Sequence, residues 1–200
     1  MDAMARPLRA DARRNYDAIV QAAVEEVGSR GATASLEDIA KRAGVGSATL
    51  HRHFPTRNLL LQAVFADGIA ALASRASDLA QERDAGSALR TWLSELAAYS
   101  ASTRGLADTL DLSAGVDADP DMHTCEILLL GAATTLRDAA ASAGAIRRDV
   151  GAYDLLSLVN AISLEARNHT DPEAFATRLL DLAFDGISRS TPSPATDSRT

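Results

Sequence analysis

The run from residue 35 to residue 54 reads SLEDIAKRAGVGSATLHRHF and leaves a folded chain few choices. Ser35, Leu36, Glu37 and Asp38 form an imperfect helix-opening box, in which a small hydroxyl caps the first turn and an acid stands three residues on. Leu36, Ile39, Ala40 and Ala43 then share one helical face, and Lys41 and Arg42 come just before the stop at Gly44. Gly44, Val45 and Gly46 permit a tight turn. Ser47 to Phe54 makes a second short helix, with Leu50 and Phe54 four residues apart on its inner face. Pro55 breaks that helix, and Thr56 caps the next one. Two short helices about a glycine-containing turn form a helix-turn-helix.

The remainder of the chain reads as helix as well. Aromatic residues are only 4% of the 200, alanine is abundant and β-branched runs are scarce, a composition that favours helices over sheet. Asp11 to Arg30 carries Ile19, Ala23 and Val27 on one face and stops at Gly31. A long helix is predicted from Arg57 to about Gln81. Helix restarts at Gly86 and Ser87 and runs through Trp92, Leu96 and Tyr99, and a shorter one is predicted near Leu106 to Leu112. Asp119 with Pro120 and Asp171 with Pro172 each place a capping acid ahead of a proline, opening two more helices, and another lies between about Val150 and His169. The expected fold is all-α. A polar, disordered arm is predicted for residues 1–10, a three-helix head for 11–57, a helical body for 58–189 and a disordered tail for 190–200.

Charge divides along the same lines. Residues 1–60 hold nine Lys and Arg against seven Asp and Glu, whereas residues 61–200 hold eleven against twenty. A weakly positive head on an acidic body suits a head that approaches a polyanion. Cys125 is the only cysteine, which excludes an internal disulfide and points to a reducing compartment. No stretch reads as a membrane span, and the first residues lack the apolar core of a signal peptide, so the cytoplasm is the expected location. His51 and His53 lie about 200° apart around a helix and cannot share a metal. His123 and Cys125 fail by the same geometry. The acids at Asp117, Asp119 and Asp121 lack the glycine and terminal glutamate of a calcium loop. Neither a metal nor a cofactor is expected. No nucleophile–base pair has workable spacing, so an enzyme on a helical scaffold is the weaker alternative class.

In a helix-turn-helix the second helix lies in the major groove of double-stranded DNA. On that helix Ser47, Thr49, His51 and Arg52 are polar and face outward. Gly46, Ser47 and Ala48 are small enough to let the backbone approach the groove. The arginine fork of Arg52 can reach guanine O6 and N7, and with Ser47 it is the best candidate for sequence discrimination. Lys41 and Arg42 would act electrostatically from the first helix.

An ordered set of residues resembles the TetR family of one-component bacterial regulators: Arg30 and Gly31, Leu36 to Ala40, Ala43 to Val45, Thr49 and Leu50, His53 to Pro55, then Thr56 and Arg57. The match covers about residues 11–65. The link around residues 137–156 looks like that of SbtR-like C-terminal domains. Gly46 and Ala48 stand where serine and glycine are common, and His51 stands where tyrosine is usual. The resemblance implies that Thr49, His51, His53 and Arg57 contact DNA, and that Ser35 caps its helix and shares a phosphate. Protonation of His51 would add a donor and a charge there.

The resemblance further implies a homodimer whose C-terminal domain binds a small-molecule effector. Trp92, Leu96 and Tyr99, with Ile127 and Leu130, are the candidate pocket residues. Leu155, Val159, Ile162, Phe175, Leu179 and Leu182 are the candidates for a two-fold four-helix interface. Such a dimer sets two recognition helices about 34–36 Å apart and calls for a near-palindromic operator. Effector that favours splayed heads lowers DNA affinity by the same coupling factor. The expected function is therefore a ligand-responsive repressor, with an activator as the alternative on the same fold.

Overall fold

The computed structural model describes residues 5–82, 84–103, 105–106 and 124–187. It contains α1 (Ala5–Arg30), a 3-10 turn (Gly31–Thr33), α2 (Leu36–Arg42), α3 (Ser47–His53), α4 (Arg57–Leu79), α5 (Ala85–Ser102), α6 (Thr124–Ser142), α7 (Ala152–Ala166) and α8 (Pro172–Ile187). No strand occurs among the described residues. The helix predicted near Leu106 to Leu112, the start at Asp119 and Pro120, the acids around Asp119, His123 and the tail lie outside them.

Local chemistry sets the boundaries. Thr56 Oγ1 accepts from the Leu59 amide at 3.3 Å and opens α4. Asp84 Oδ1 accepts from the amides of Gly86 and Ser87 at 3.1 and 3.2 Å, so α5 begins at Ala85 rather than at Gly86. Asp171 Oδ1 accepts from the Ala174 amide at 3.1 Å ahead of Pro172, as the acid–proline pair requires. The expectation of an unstructured arm up to residue 10 needs correcting, because α1 already starts at Ala5. Pro7 falls in its first turn, where the missing N–H would have had no helical partner anyway.

In the head, Ile19, Ala23 and Val27 of α1, Ile39 and Ala40 of α2, and Leu50 and Phe54 are all buried. Leu60 and Leu61 at the start of α4 continue this core. The head therefore shares its longest helix with the body. In the body, α4 packs on α6, and α5 packs on α7 and α8. Trp92 is fully buried at the centre, and its indole N–H donates to the Leu72 carbonyl at 2.9 Å. Arg90 ties α5 to α8 through Asp181 at 2.9 Å. Arg137 closes the α6–α7 turn by donating to the carbonyls of Val150 and Arg148 at 2.7 and 2.6 Å.

One sequence expectation on membranes also changes. Arg57–Leu79 is long and apolar enough to cross a bilayer by length and composition. Its Leu60, Phe65, Ile69, Leu72, Ala76 and Leu79 are instead buried in the helical core.

Candidate nucleic-acid interface

The α2–α3 turn aims α3. Gly44 has a φ of 69°, a left-handed conformation that suits glycine. The Gly44 amide bonds back to the Lys41 carbonyl at 3.2 Å and the Val45 amide to Ala40 at 3.0 Å, so the turn folds tightly onto the end of α2. Ser35 caps α2 as expected, with its Oγ accepting from the Asp38 amide at 3.3 Å. Leu50 and Phe54 point α3 into the core, and Tyr16 of α1 stacks on Phe54 with ring centroids 5.0 Å apart.

The opposite side of α3 is polar and open. Gly46, Ser47, Ala48, His51 and Arg52 are exposed, and Thr49 and His53 are partly exposed. The side chains of Lys41, Ser47, Thr49, His51 and Arg52 have no hydrogen bond or ion pair with described residues. A Cβ added at Gly46 would meet nothing within 4 Å, so the helix start stands clear of the protein. An exposed helix whose polar groups have no internal partner is free to bond elsewhere.

The other sequence-predicted residues have structural partners. Arg42 Nη2 and Nε donate to Glu26 Oε1 at 2.7 and 2.9 Å, and its Nη1 reaches Glu25 at 3.0 Å. These carboxylates hold the guanidinium more firmly protonated, the bond to Glu26 contributing most. Arg42, expected to act electrostatically from α2, is half-exposed and through these pairs fastens α2 to α1. Arg57 Nη1 donates to the Ala34 carbonyl at 2.6 Å and holds the segment that enters α2. His53 packs edge-on against Tyr16 at 6.3 Å.

Sequence reasoning missed the seam behind this surface. Glu26, with its side chain only 5% exposed, lies 3.5 Å from Arg30 and 2.7 Å from Arg42. Arg30 Nη1 also donates to Asp38 Oδ2 at 2.6 Å. The hydrogen bond to Asp38 is the leading cause of the raised Arg30 pKa. The four-residue spacing of Glu26 and Arg30 was a visible signal, whereas the reach to Arg42 and Asp38 depends on the tertiary fold.

The pocket and interface expectations fare differently. Trp92 and Leu96 are core residues. Tyr99 is half-buried, its hydroxyl pressed against Gly68 so closely that a Cβ there would come within 1.9 Å. Leu130 packs against the core from a partly buried position, while Ile127 is 52% exposed on the outer side of α6. Four consecutive apolar residues wrap around a helix and cannot all face one cavity. Leu155, Val159 and Ile162 are buried in the chain's own core, and Phe175 and Leu179 pack against it. Of the six interface candidates Leu182 alone is freely presented, at 62% exposure. Cys125 is buried, its Sγ 3.7 Å from the Gln62 carbonyl, and burial pushes its thiol pKa up, away from the reactive thiolate.

A helix-turn-helix with an open polar second helix, mounted on an all-helical body, defines a DNA-binding regulator. A model of the bacterial regulatory proteins of the tetR family matches residues 19–64. A model of the C-terminal domain of SbtR-like transcriptional regulators matches residues 84–189. The TetR transcriptional regulator SCO0520 of Streptomyces coelicolor is 38% identical over 88% of this chain and 99% of that one, with a TM-score of 0.56. The chain belongs to the TetR family of non-enzymatic, DNA-binding transcriptional regulators. FadR of Bacillus subtilis, solved with stearoyl-CoA, shares the fold at 20% identity over 86% of this chain and 99% of that one, with a TM-score of 0.60. RolR, solved with resorcinol, does so at 19% identity over 92% and 98%, with a TM-score of 0.59. No curated protein matches the chain.

Proposed function

We propose that this chain is a cytoplasmic, homodimeric repressor that leaves a near-palindromic operator when a small molecule binds it. The observation that carries the DNA-reading half is the outer face of α3, where Ser47, His51 and Arg52 are exposed, Thr49 is partly exposed, and none has a side-chain partner among the described residues. Arg52 and Ser47 read base edges, Thr49 meets a base or a thymine methyl, and His51 grips phosphate. Lys41 adds long-range attraction, and Gly46 and Ala48 allow close approach. Ser35, His53 and Arg57 hold the surface in shape and lend donors at its rim.

In this reading residues 11–57 are the DNA-binding domain and residues 58–189 the effector-binding and dimerisation domain. The two-fold contact uses the outer faces of α7 and α8, around Ala161, Ala174, Arg178 and Leu182, which the monomer leaves exposed. Two proteins of this fold were solved with stearoyl-CoA and with resorcinol, which supports a small-molecule effector. The helix α4 runs from the head into the body and is the natural lever between the two sites.

Fluorescence anisotropy of the full-length protein on its own upstream intergenic DNA tests the reading. Saturable binding that survives unrelated competitor and falls linearly in log affinity against log salt is the expected result. Binding no tighter than that to competitor DNA would contradict it.

A further inference from the structure

A cleft of about 860 Å³ lies where the head meets the body. One wall is the end of α1 and the following turn, with Arg30, Gly31 and Thr33; the other comes from the ends of α5 and α7 and the start of α8. Its lining differs from the leucine- and alanine-rich core of the body. Serines, threonines, an asparagine and charged groups dominate it, and no leucine, isoleucine, valine or phenylalanine is among them. Ser100 lines the cleft, is 4% exposed, and its Oγ has no hydrogen-bond partner among the described residues. A buried hydroxyl without a partner costs stability unless something bonds it. Arg30 and Arg167 bring positive charge to the same cleft, opposed by Asp171, whose carboxylate caps α8, and by Glu173.

We propose that this junction cleft is the effector site and that its ligand is a small hydroxylated carboxylate rather than an acyl chain or an aromatic. The proposal rests on the effector-controlled reading above and deepens it. The ligand accepts from Ser100 and places its carboxylate at Arg30. Arg30 is also the residue that bonds Asp38 at the opening of α2. A carboxylate at Arg30 competes with Asp38, so occupancy loosens the tie between α1 and the helix-turn-helix. That gives the ligand different affinities for the two head positions, which is what a population shift requires.

Thermal melting of the full-length protein with malate, citrate and gluconate, and separately with laurate and lauroyl-CoA, tests this. At least one hydroxy-carboxylate is expected to raise the melting temperature by a few degrees at saturation. Ser100→Val should abolish that shift, because it removes a hydroxyl that has no hydrogen-bond partner among the described residues. Should Ser100→Val fail to fold, Thr103→Val at the rim is the second variant, expected to weaken the shift at least threefold in half-saturating concentration. Arg30→Gln, which removes the tie to Asp38 outright, should bind upstream DNA more weakly without ligand and show no further release with a hydroxy-carboxylate. No shift with any hydroxy-carboxylate, or a shift that survives Ser100→Val and Thr103→Val, overturns the proposal. If DNA is instead released by laurate or lauroyl-CoA, effector control stands and the cleft falls. If upstream DNA is never bound specifically, the repressor reading itself fails.

Discussion

The outer face of α3 and the apolar stripe of α7 and α8 were both singled out by helical spacing, yet they have opposite fates. On α3 the polar positions face solvent, and none of Ser47, Thr49, His51 and Arg52 is tied down by a described residue. On α7 the apolar positions Leu155, Val159 and Ile162 turn into the chain's own core. Polarity on a short helix next to a tight turn says which side is open. Hydrophobicity on a long helix says only that the side is covered, not whether the cover is the same chain or a second copy. A helix first satisfies its most apolar stripe within its own fold, and a partner uses what remains.

The largest effect that sharpens this contrast is expected from Leu155→Ala. It should cost about 2–5 kcal/mol in denaturant unfolding, by an amount that does not depend on protein concentration. A cost that shrinks at high concentration would return Leu155 to the interface. Next comes Leu182→Glu, which puts a charge on the exposed patch of α8. Sedimentation should show dissociation at concentrations where the parent is dimeric, with operator affinity at least about tenfold lower because one half-site contact is lost. An unchanged dimer would move the two-fold contact to another face, such as the exposed Ile127 and Leu128 of α6.

Smaller changes probe the head. Ser35→Ala removes the cap of α2 and should lower stability by about 1 kcal/mol. Its operator affinity should fall only slightly if capping is the main role of Ser35, and a loss of tenfold or more would mean a direct phosphate contact. Gly46→Ser should be nearly neutral for folding, since a Cβ there meets nothing within 4 Å. A drop in melting temperature of several degrees would show that the start of α3 is packed more tightly than described.

Much of the fold was legible because its punctuation is local. Gly31, Gly44, Ser35, Thr56 and the Asp171–Pro172 pair each act on backbone groups within a few residues, so their effect can be read without knowing the rest of the molecule. The apolar positions Leu36, Ile39, Ala40, Leu50 and Phe54 marked the two short helices α2 and α3 for the same reason. The pairing of Arg42 was not legible because its partners Glu25 and Glu26 are 17 and 16 residues away, and only the packing of α2 on α1 brings them together. The three- and four-residue spacing of Trp92, Leu96 and Tyr99 marks them as core first and pocket candidates second, and Trp92, fully buried with its indole N–H bonded to Leu72, is a core residue. The junction cleft had no sequence signal at all, since its walls come from the ends of four separated elements.

Two arginines ten residues apart put the central claim to its most direct test. Operator affinity should be measured by anisotropy for the parent, Arg52→Ala and Arg42→Met on one upstream duplex, at a temperature where all three remain folded. Arg52 is exposed and without an ion-pair partner among the described residues, whereas Arg42 is held by Glu26 and Glu25. The expected result is a loss of about tenfold for Arg52→Ala with an unchanged melting temperature, a change worth roughly 1.4 kcal/mol and within the range of one base contact. Arg42→Met should melt several degrees lower yet bind within about twofold of the parent. The reverse pattern, with Arg42→Met losing affinity and Arg52→Ala binding normally, would contradict the assignment of the outer face of α3 as the surface that reads DNA.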